Sequence, residues 1–217
     1  MDKEQKDQDL HVSQHSSNEM LAAYPLEVAQ KIAVDICYKL QPLCEKINIA
    51  GSVRRKKPEV KDIEIICVPK VETQYDMFGT PFTSGRSTGF RDIVLSLGEI
   101  IKGGANGKYI QIKLPQGINL DLFIPDDFDY YRQYAIRTGS ADYAAKIIAS
   151  GWKKKGWCGS DKGLRKISDC IETKGSDGKS KWKCVKEKAE LPPVWKSEEE
   201  FFNWINIKML HPSQRVV

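Results

Sequence analysis

The chain has 217 residues, of which 41% are hydrophobic, so it can bury a substantial core and is not disordered throughout. It contains no run of about 18 apolar residues, which argues against a membrane-spanning helix. The net charge is +5 (34 − 29), and the excess is concentrated in residues 151–190, where 12 Lys and Arg face 6 Asp and Glu.

Residues 1–20 are polar, charged and without periodicity, and we expect them to form a disordered tail. They contain neither the apolar core of a signal peptide nor the Arg-rich pattern of a transit peptide. We therefore expect an intracellular, cytoplasmic protein whose six cysteines are reduced thiols. The spacing of Cys158, Cys170 and Cys184 matches no usual zinc-ligand pattern.

The first predicted element is an amphipathic helix that Pro42 ends. Its apolar residues recur at every fourth position: Val28, Ile32, Ile36 and Leu40. Residues 47–50 predict a short strand that leads into Gly51 and Ser52. Residues 63–68 give the strongest strand signal of the chain, and Pro69 closes it.

The next stretch alternates between loop and regular structure. Residues 72–89 are rich in Gly, Thr and Ser and predict a long loop, whereas residues 91–102 return to helical spacing before two glycines. Residues 109–114 and 118–124 predict two strands, and the Pro-Gln-Gly sequence at 115–117 predicts the hairpin turn between them.

A change of character near residue 126 predicts a domain boundary. Beyond it we predict helices over 127–137 and 141–150, short strands within 157–190, and a last helix from 197 to about 209, opened by a capping box. The mixture of helices and strands indicates an α+β fold.

Three carboxylates occupy strand positions. Asp62 and Glu64 are separated by one residue, so both project from the same face of their strand. Asp121 lies in a similar apolar setting on a later strand. Facing carboxylates repel each other, and a divalent cation removes that cost. One such acid is more often an ordinary strand residue, but three together favour a two-metal site for phosphoryl transfer.

A glycine-serine turn precedes the first carboxylate by ten residues. Gly51 permits close approach of the backbone to a phosphate, and Ser52 adds a hydroxyl donor. Arg54 and Arg55 follow at once, and guanidinium groups suit phosphate oxygens. Together with the carboxylates at this spacing, the turn indicates a site for a polyphosphate.

The basic stretch at residues 151–190 also contains Trp152, Trp157 and Trp182. Lysines and aromatic residues together are typical of a nucleic-acid surface, although charge alone more often indicates a solvated face. We expect Trp152 and Trp157 to belong to a hydrophobic core.

These motifs resemble family X DNA polymerases, the DNA polymerase β group. The signature runs Gly51-Ser52-Val53-Arg54-Arg55 and, after six residues, Asp62-Ile63-Glu64. Later landmarks are similar to the family's third-carboxylate strand, nucleotide segment, closing helix and tail: 119–123, 130–131, 138–140, 197–205, His211, Pro212 and Arg215. The resemblance covers residues 24–216.

The resemblance implies an α+β architecture of two parts. Residues 21–125 would form a nucleotidyltransferase palm, a mixed β-sheet with helices on one side. Residues 126–217 would form a small α+β thumb that binds nucleotide and DNA. The length leaves room for palm and thumb only, without the lyase and fingers domains of larger members.

The resemblance also implies the site. Asp62, Glu64 and Asp121 would be catalytic and would bind two Mg²⁺ ions, with Mn²⁺ as an alternative, and Asp121 would activate the primer 3′-hydroxyl. The residues implied in nucleotide binding are Gly51, Ser52, Arg55, Arg137, Thr138 and Gly139. Those implied in DNA binding are Lys153, Lys154, Lys155, Lys162, Arg165 and Lys166. We expect a monomer whose partners are a dNTP and a primer–template or gapped duplex, not a membrane.

Two departures from the family pattern bear on function. Glu64 stands where the family has a second aspartate, and Ile136-Arg137 stands where an aromatic pair takes part in sugar discrimination. The leading hypothesis is a template-directed polymerase for short gap filling in DNA repair. A template-independent nucleotidyltransferase acting on DNA or RNA ends is the alternative, and a non-catalytic nucleic-acid-binding module is the third reading.

Overall fold

The computed structural model describes residues 23–175, 178 and 180–217 and shows an α+β chain. The predicted tail, residues 1–20, lies outside the described residues. The strands are β1 (Tyr24–Pro25), β2 (Cys44–Ile49), β3 (Glu59–Val60), β4 (Asp62–Pro69), β5 (Val71–Tyr75), β6 (Pro81–Arg86), β7 (Glu99–Gly103), β8 (Tyr109–Lys113), β9 (Asn119–Phe123), β10 (Trp157–Ser160), β11 (Gly163–Lys166), β12 (Cys170–Lys174) and β13 (Ser180–Cys184). The helices are α1 (Leu26–Leu40), α2 (Gly51–Arg54), α3 (Thr88–Ser96), α4 (Tyr130–Thr138), a π-helical segment (Tyr143–Ile148), α5 (Ala149–Lys154) and α6 (Glu198–Trp204).

The first layer is a mixed five-stranded sheet in the order β2-β4-β9-β8-β7, in which β4 and β9 are parallel and the other pairs antiparallel. The turn between β8 and β9 is the predicted Pro-Gln-Gly hairpin, and Gly117 adopts a φ of +86° there. The register of the parallel pair sets Asp62 opposite Asn119 and Glu64 opposite Asp121.

The two faces of β4 meet different partners. Ile63 and Ile65 are fully buried against the core that α1 and α3 cover. Ile66, on the opposite face, packs with Phe123 and Tyr130 of α4. The predicted strand and the predicted alternation of its side chains are therefore confirmed, and α4 covers part of the face that carries the carboxylates.

The predicted first helix is confirmed as α1, but its buried stripe is rotated from the predicted one. Val28 is 45% exposed, whereas Ala29 and Ala33 are fully buried. The small alanine side chains let the helix backbone approach the sheet closely, so size decides the buried face rather than hydrophobicity alone.

Two predictions in the segment before β8 are wrong. Residues 72–89 are not one long loop, since β5 and β6 pair there as an antiparallel hairpin. The helix predicted over 91–102 ends at Ser96, and Glu99–Gly103 forms the edge strand β7 against β8. Pairing with a neighbouring strand overrides the helical spacing of its apolar residues.

The second layer is a four-stranded sheet in the order β11-β10-β13-β12, which confirms the predicted short strands. Trp152 and Trp157 are buried in the core beside it, as predicted. The helix predicted over 141–150 continues past Gly151 to Lys154, and a Cβ at Gly151 would lie 2.8 Å from Ile205 Cβ. Helix α6 begins as predicted but ends at Trp204 rather than near residue 209.

Within the described part of the chain, no helix combines the length and the apolar character that crossing a bilayer requires.

Candidate active site

The three predicted carboxylates lie on adjacent central strands of the five-stranded sheet. Glu64 on β4 and Asp121 on β9 are direct partners in the parallel register, and Asp62 lies two residues before Glu64 on the same face. Each is half-buried. The sheet thus brings together three acids that are separated by up to 59 positions (121 − 62) in the sequence.

Burial and mutual repulsion act on the carboxylates of β4. Burial, together with the charge of Asp62, raises the pKa of Glu64 to about 7, although Arg137 and Arg55 act in the opposite direction. Burial and the charge of Asp121 also raise the pKa of Asp62. The site therefore holds its negative charge at a cost, which a bound cation would offset.

Asp121 is oriented by two neighbours on β8. Tyr109 Oη and Gln111 Nε2 each donate a hydrogen bond of 2.9 Å to Asp121 Oδ1. Asp121 Oδ2 accepts no hydrogen bond from any described residue, so one oxygen stays available to a ligand. Burial and the contact with Asp121 raise the pKa of Tyr109 to about 12, which keeps this hydroxyl a donor.

Gly51 and Ser52 begin the short helix α2 beside Glu64. Gly51 has a φ of +59°, and a Cβ there would overlap the Glu64 carboxylate, so a side chain at this position would displace Glu64. Ser52 Oγ is buried and has no hydrogen-bond partner among the described residues. Buried hydroxyls are normally satisfied, so this one is a candidate donor to a ligand.

Arg54 and Arg55, adjacent in sequence, have different partners. Arg54 makes two hydrogen bonds to Glu198, of 3.0 and 2.8 Å, and Glu198 is also paired with Arg215 at 2.6 Å. The Arg54 guanidinium also stacks on Tyr134, 3.7 Å from the ring centroid. Contrary to the sequence interpretation, Arg54 is thus committed to a buried ion network that ties α2 to α6 and the C-terminal segment.

Arg55 lies on the carboxylate side. Its Nη1 donates to the carbonyl oxygens of Thr138 and Gly139, at 2.7 and 3.1 Å. Its Nε is buried without a partner among the described residues, and its charge acts on Glu64 and Asp62. The predicted nucleotide residues Arg55, Thr138 and Gly139 therefore lie in direct contact.

Arg137 approaches the carboxylates from α4. Its guanidinium stacks on Phe123, 3.9 Å from the ring centroid, and its charge acts on Glu64 and Asp121. Its Nε is buried without a hydrogen-bond partner among the residues that the structure describes. This residue, too, is in the predicted site.

A cavity of about 250 Å³ opens beside Arg137 between the two sheets. Tyr109 and Phe123 line it from the five-stranded sheet, and Ser160 and Asp161 line it from the four-stranded sheet. The cavity reaches Tyr109, whose hydroxyl donates to Asp121, so it lies next to the carboxylates although none of them lines it.

The predicted DNA-binding residues divide into exposed and buried groups. Lys153, Lys154 and Lys155 are exposed at the end of α5, and Lys162 is exposed between β10 and β11. Arg165 differs because it is buried, and its Nη1 donates to its neighbour's carbonyl at 2.7 Å. Arg165 is therefore not part of the exposed basic face.

Lys166, the last predicted DNA-binding residue, already contacts other side chains. It lies over the Trp157 ring, 4.5 Å from the centroid, and its Nζ is 3.7 Å from a Glu190 carboxylate oxygen. It is less free than Lys153 or Lys154 to contact a phosphate.

The carboxylates fit a divalent cation by chemistry and charge. Their oxygen donors suit Mg²⁺ or Mn²⁺, and repulsion between them favours a cation. Across residues 23–175, 178 and 180–217, no group of three acidic, histidine or cysteine side chains already has the spacing of cation ligands.

Sequence reasoning missed Tyr109, Gln111 and Glu198. The first two alternate on β8, so they share a face, and the hairpin register sets Gln111 opposite Asp121. Extending the predicted hairpin by this register would have found them. No local signal identifies Glu198, which is 144 positions from Arg54.

Compared with protein-family models and with curated proteins, the chain has no match of either kind. The functional assignment therefore rests on the residues and their geometry.

Proposed function

We propose that this protein is a nucleotidyltransferase of the family X type, with a palm in the first half of the chain and a thumb in the second, and that it adds dNMP from a dNTP to a primer 3′-hydroxyl. The observation that carries the proposal is the pairing of Glu64 with Asp121 in parallel strands, with Asp62 on the same face and Gly51–Ser52 against Glu64.

The incoming triphosphate would bind at the start of α2. Ser52 Oγ is a buried donor that no described residue satisfies, and Arg55 supplies positive charge beside it. Thr138 and Gly139 hold Arg55 through their carbonyl oxygens, which fixes the direction of its guanidinium. An oriented guanidinium binds phosphate oxygens with little loss of side-chain entropy.

The reaction joins the primer 3′-oxygen to the α-phosphorus and breaks the bond from that phosphorus to the bridging oxygen of pyrophosphate. The 3′-hydroxyl proton would pass to Asp121 Oδ2, since Oδ1 already accepts two hydrogen bonds. Asp62, Glu64 and Asp121 would hold two Mg²⁺ ions, which supply charge neutralisation at the attacking and leaving oxygens.

The DNA would contact the second half of the chain. Lys153, Lys154, Lys155 and Lys162 are exposed and supply a basic surface. Contacts of this kind bind the phosphate backbone without reading sequence, which suits an enzyme that acts on any short gap. Gap filling in DNA repair is the context we propose.

The test is single-nucleotide extension on a duplex with a one-nucleotide gap. Each dNTP and each rNTP is supplied separately, in Mg²⁺ and in Mn²⁺, to wild type and to Asp121→Asn, which keeps the side-chain size. We expect addition of the complementary dNTP by the wild type and a loss of at least about 100-fold in the variant. Binding to gapped DNA without incorporation in either metal would contradict the proposal.

Arg137 favours a second candidate, a template-independent transferase for DNA or RNA ends. It places a flexible cation where the family carries an aromatic residue, so the sugar contact differs in kind. In the same assay, equal incorporation of all four nucleotides would support this candidate, and strict dependence on the template base would exclude it.

A further inference from the structure

Arg137 lies on the carboxylate face of the five-stranded sheet, because it stacks on Phe123, which follows Asp121 by two residues on β9. Ring stacking on Phe123 holds its guanidinium at 3.9 Å, and it forms no hydrogen bond or ion pair with any of the described residues. Its charge nevertheless acts on Glu64 and Asp121. A half-buried cation without a partner is costly, so its position calls for an explanation.

The charges of the site suggest an explanation for the position of Arg137. Asp62, Glu64 and Asp121 contribute −3 when ionised, while Arg55 and Arg137 contribute +2, so these five groups sum to −1. Arg55 is held by the carbonyl oxygens of Thr138 and Gly139. Among the residues that the structure describes, only the Phe123 ring holds Arg137, so Arg137 is the cation that can change its orientation when a ligand enters.

We propose that Arg137 is a built-in counter-charge of the carboxylate cluster, which opposes binding of divalent cations and donates to an anionic group of the nucleotide. The inference rests on the proposed function, because it takes Asp62, Glu64 and Asp121 as the cation ligands. It would make cation binding weak until a polyphosphate is present to pair with Arg137.

The charge of Arg137 should have opposite effects on the affinities for a divalent cation and for a triphosphate. A positive charge beside the carboxylates repels a divalent cation and attracts a triphosphate. Removing the charge should therefore strengthen cation binding and weaken metal-free nucleotide binding. A purely structural role would weaken both, so the signs distinguish the two explanations.

The experiment measures Mn²⁺ binding and dTTP binding separately. Free Mn²⁺ is followed by electron paramagnetic resonance during titration of metal-free protein, and dTTP binding is measured by calorimetry in EDTA. Arg137→Met keeps a flexible apolar stem for Phe123, and Arg137→Lys keeps the charge. Lys146→Met is the matched control, since it removes one positive charge from an exposed helix position paired with Asp142.

For Arg137→Met we expect Mn²⁺ binding about five- to tenfold tighter and dTTP binding about tenfold weaker. Arg137→Lys and Lys146→Met should each stay within about twofold of wild type in both titrations. If circular dichroism shows that Arg137→Met does not fold, Arg137→Gln replaces it. Unchanged or weaker Mn²⁺ binding in the folded charge-removed variant overturns the inference.

The outcome also separates this inference from the proposed function. If wild type binds Mn²⁺, Asp62→Asn abolishes that binding and Arg137→Met leaves it unchanged, then only the role of Arg137 is wrong. If wild type and Arg137→Met both fail to bind Mn²⁺, the inference fails, and if the wild type also incorporates no nucleotide in the gap-filling assay, the proposed function fails with it.

Discussion

Gly51 lies against Glu64 so closely that a methyl group on its Cα would overlap Glu64 Oε2. The same residue adopts a φ of +59°, a left-handed conformation that costs other residues about 1–2 kcal/mol. The backbone of Gly51 and the carboxylate of Glu64 are therefore in close contact at the start of α2. This contact sets the position of Glu64 relative to Ser52.

Replacing Gly51 by alanine should disrupt the site more than the fold. We expect Gly51→Ala to lose at least about tenfold in nucleotide incorporation, because the methyl group displaces the Glu64 carboxylate. Gly156→Ala is the control, since Gly156 has a φ of +79° and no atom of the described residues lies within 4 Å of the position of a Cβ. Equal activity of the two variants in the gap-filling assay would show that the Glu64 contact is unimportant.

Tyr109 should act as a positioning residue for Asp121. Tyr109→Phe removes one of the two donors to Asp121 Oδ1 and leaves the ring in place. We expect about tenfold slower incorporation at saturating nucleotide, with a KM near that of wild type. Tyr24→Phe is the matched control, because it removes a 2.9 Å hydrogen bond to Gln116 outside the site. A rise in KM with an unchanged kcat would contradict a positioning role.

Glu64 should reduce stability when no cation is bound. Its pKa of about 7 exceeds the ordinary value of 4.5, so the ionised carboxylate is disfavoured in the folded protein above pH 7, and the penalty vanishes below about pH 4.5. We expect Glu64→Gln to raise the free energy of unfolding by roughly 1–3 kcal/mol at pH 8 in EDTA. The gain should shrink steadily as the pH falls toward 5.

Urea denaturation followed by circular dichroism measures this difference, with the exposed Glu99→Gln as the control, expected within about 0.5 kcal/mol of wild type. Added Mn²⁺ should stabilise the wild type more than Glu64→Gln. Equal stability of wild type and Glu64→Gln at pH 8 would mean that the ionised Glu64 carboxylate does not destabilise the folded protein.

Glu198 should contribute strongly to stability, because its carboxylate pairs with both Arg54 and Arg215. Glu198→Gln leaves the buried Arg215 and the half-buried Arg54 without their counter-charge, and we expect a loss of about 3–5 kcal/mol in the free energy of unfolding at pH 7. Glu199→Gln, on the exposed neighbouring position, should change stability by less than about 0.5 kcal/mol. A small effect at Glu198 would show that the ion network contributes little.

The ion pairs of Glu198 with Arg54 and Arg215 also predict how the free energy of unfolding depends on pH. Burial raises the pKa of Glu198, but hydrogen bonds and charges from Arg54 and Arg215 together outweigh it and lower that pKa below its ordinary value. The stabilisation is therefore fully present above the ordinary carboxyl pKa and is lost as the pH falls through the lowered one. The difference between wild type and Glu198→Gln should shrink in acid, as measured by urea unfolding at stepwise lower pH.

The exposed lysines at the end of α5 should determine the salt dependence of DNA binding. Lys153→Ala combined with Lys154→Ala should weaken binding to gapped duplex and reduce the slope of log K against log salt by about 2. Lys31→Ala combined with Lys39→Ala removes the same charge from the exposed face of α1. Fluorescence anisotropy at several salt concentrations measures both, and an equal change in the two variants would argue against a specific basic face.

Short-range patterns predicted the strands that carry the site. The alternation of Asp62, Ile63 and Glu64 predicts a strand with one acidic face, and the Pro-Gln-Gly turn predicts the hairpin that carries Asp121. Strand geometry alternates over two residues, so neighbours in sequence are enough to read it. Both strands, and the direction of the carboxylates on β4, follow from the sequence.

The local sequence pattern gave wrong predictions where strand pairing determines the secondary structure. Residues 99–103 have helical spacing yet form β7, because β8 supplies hydrogen bonds along that edge. The five residues of β5 give no strong signal alone and become a strand against β6. A strand depends on a partner that can lie anywhere in the chain, which local composition does not report.

By itself, the sequence determined which groups the site contains, since carboxylates, a glycine-serine turn and two arginines at this spacing already indicate polyphosphate chemistry. Only the tertiary structure decided how those groups are used. It pairs Arg54 with Glu198 and directs its neighbour Arg55 to the site, and it brings Tyr109 to Asp121. Adjacent residues on one turn point in different directions, so their partners depend on elements that are far away in sequence and close only after folding.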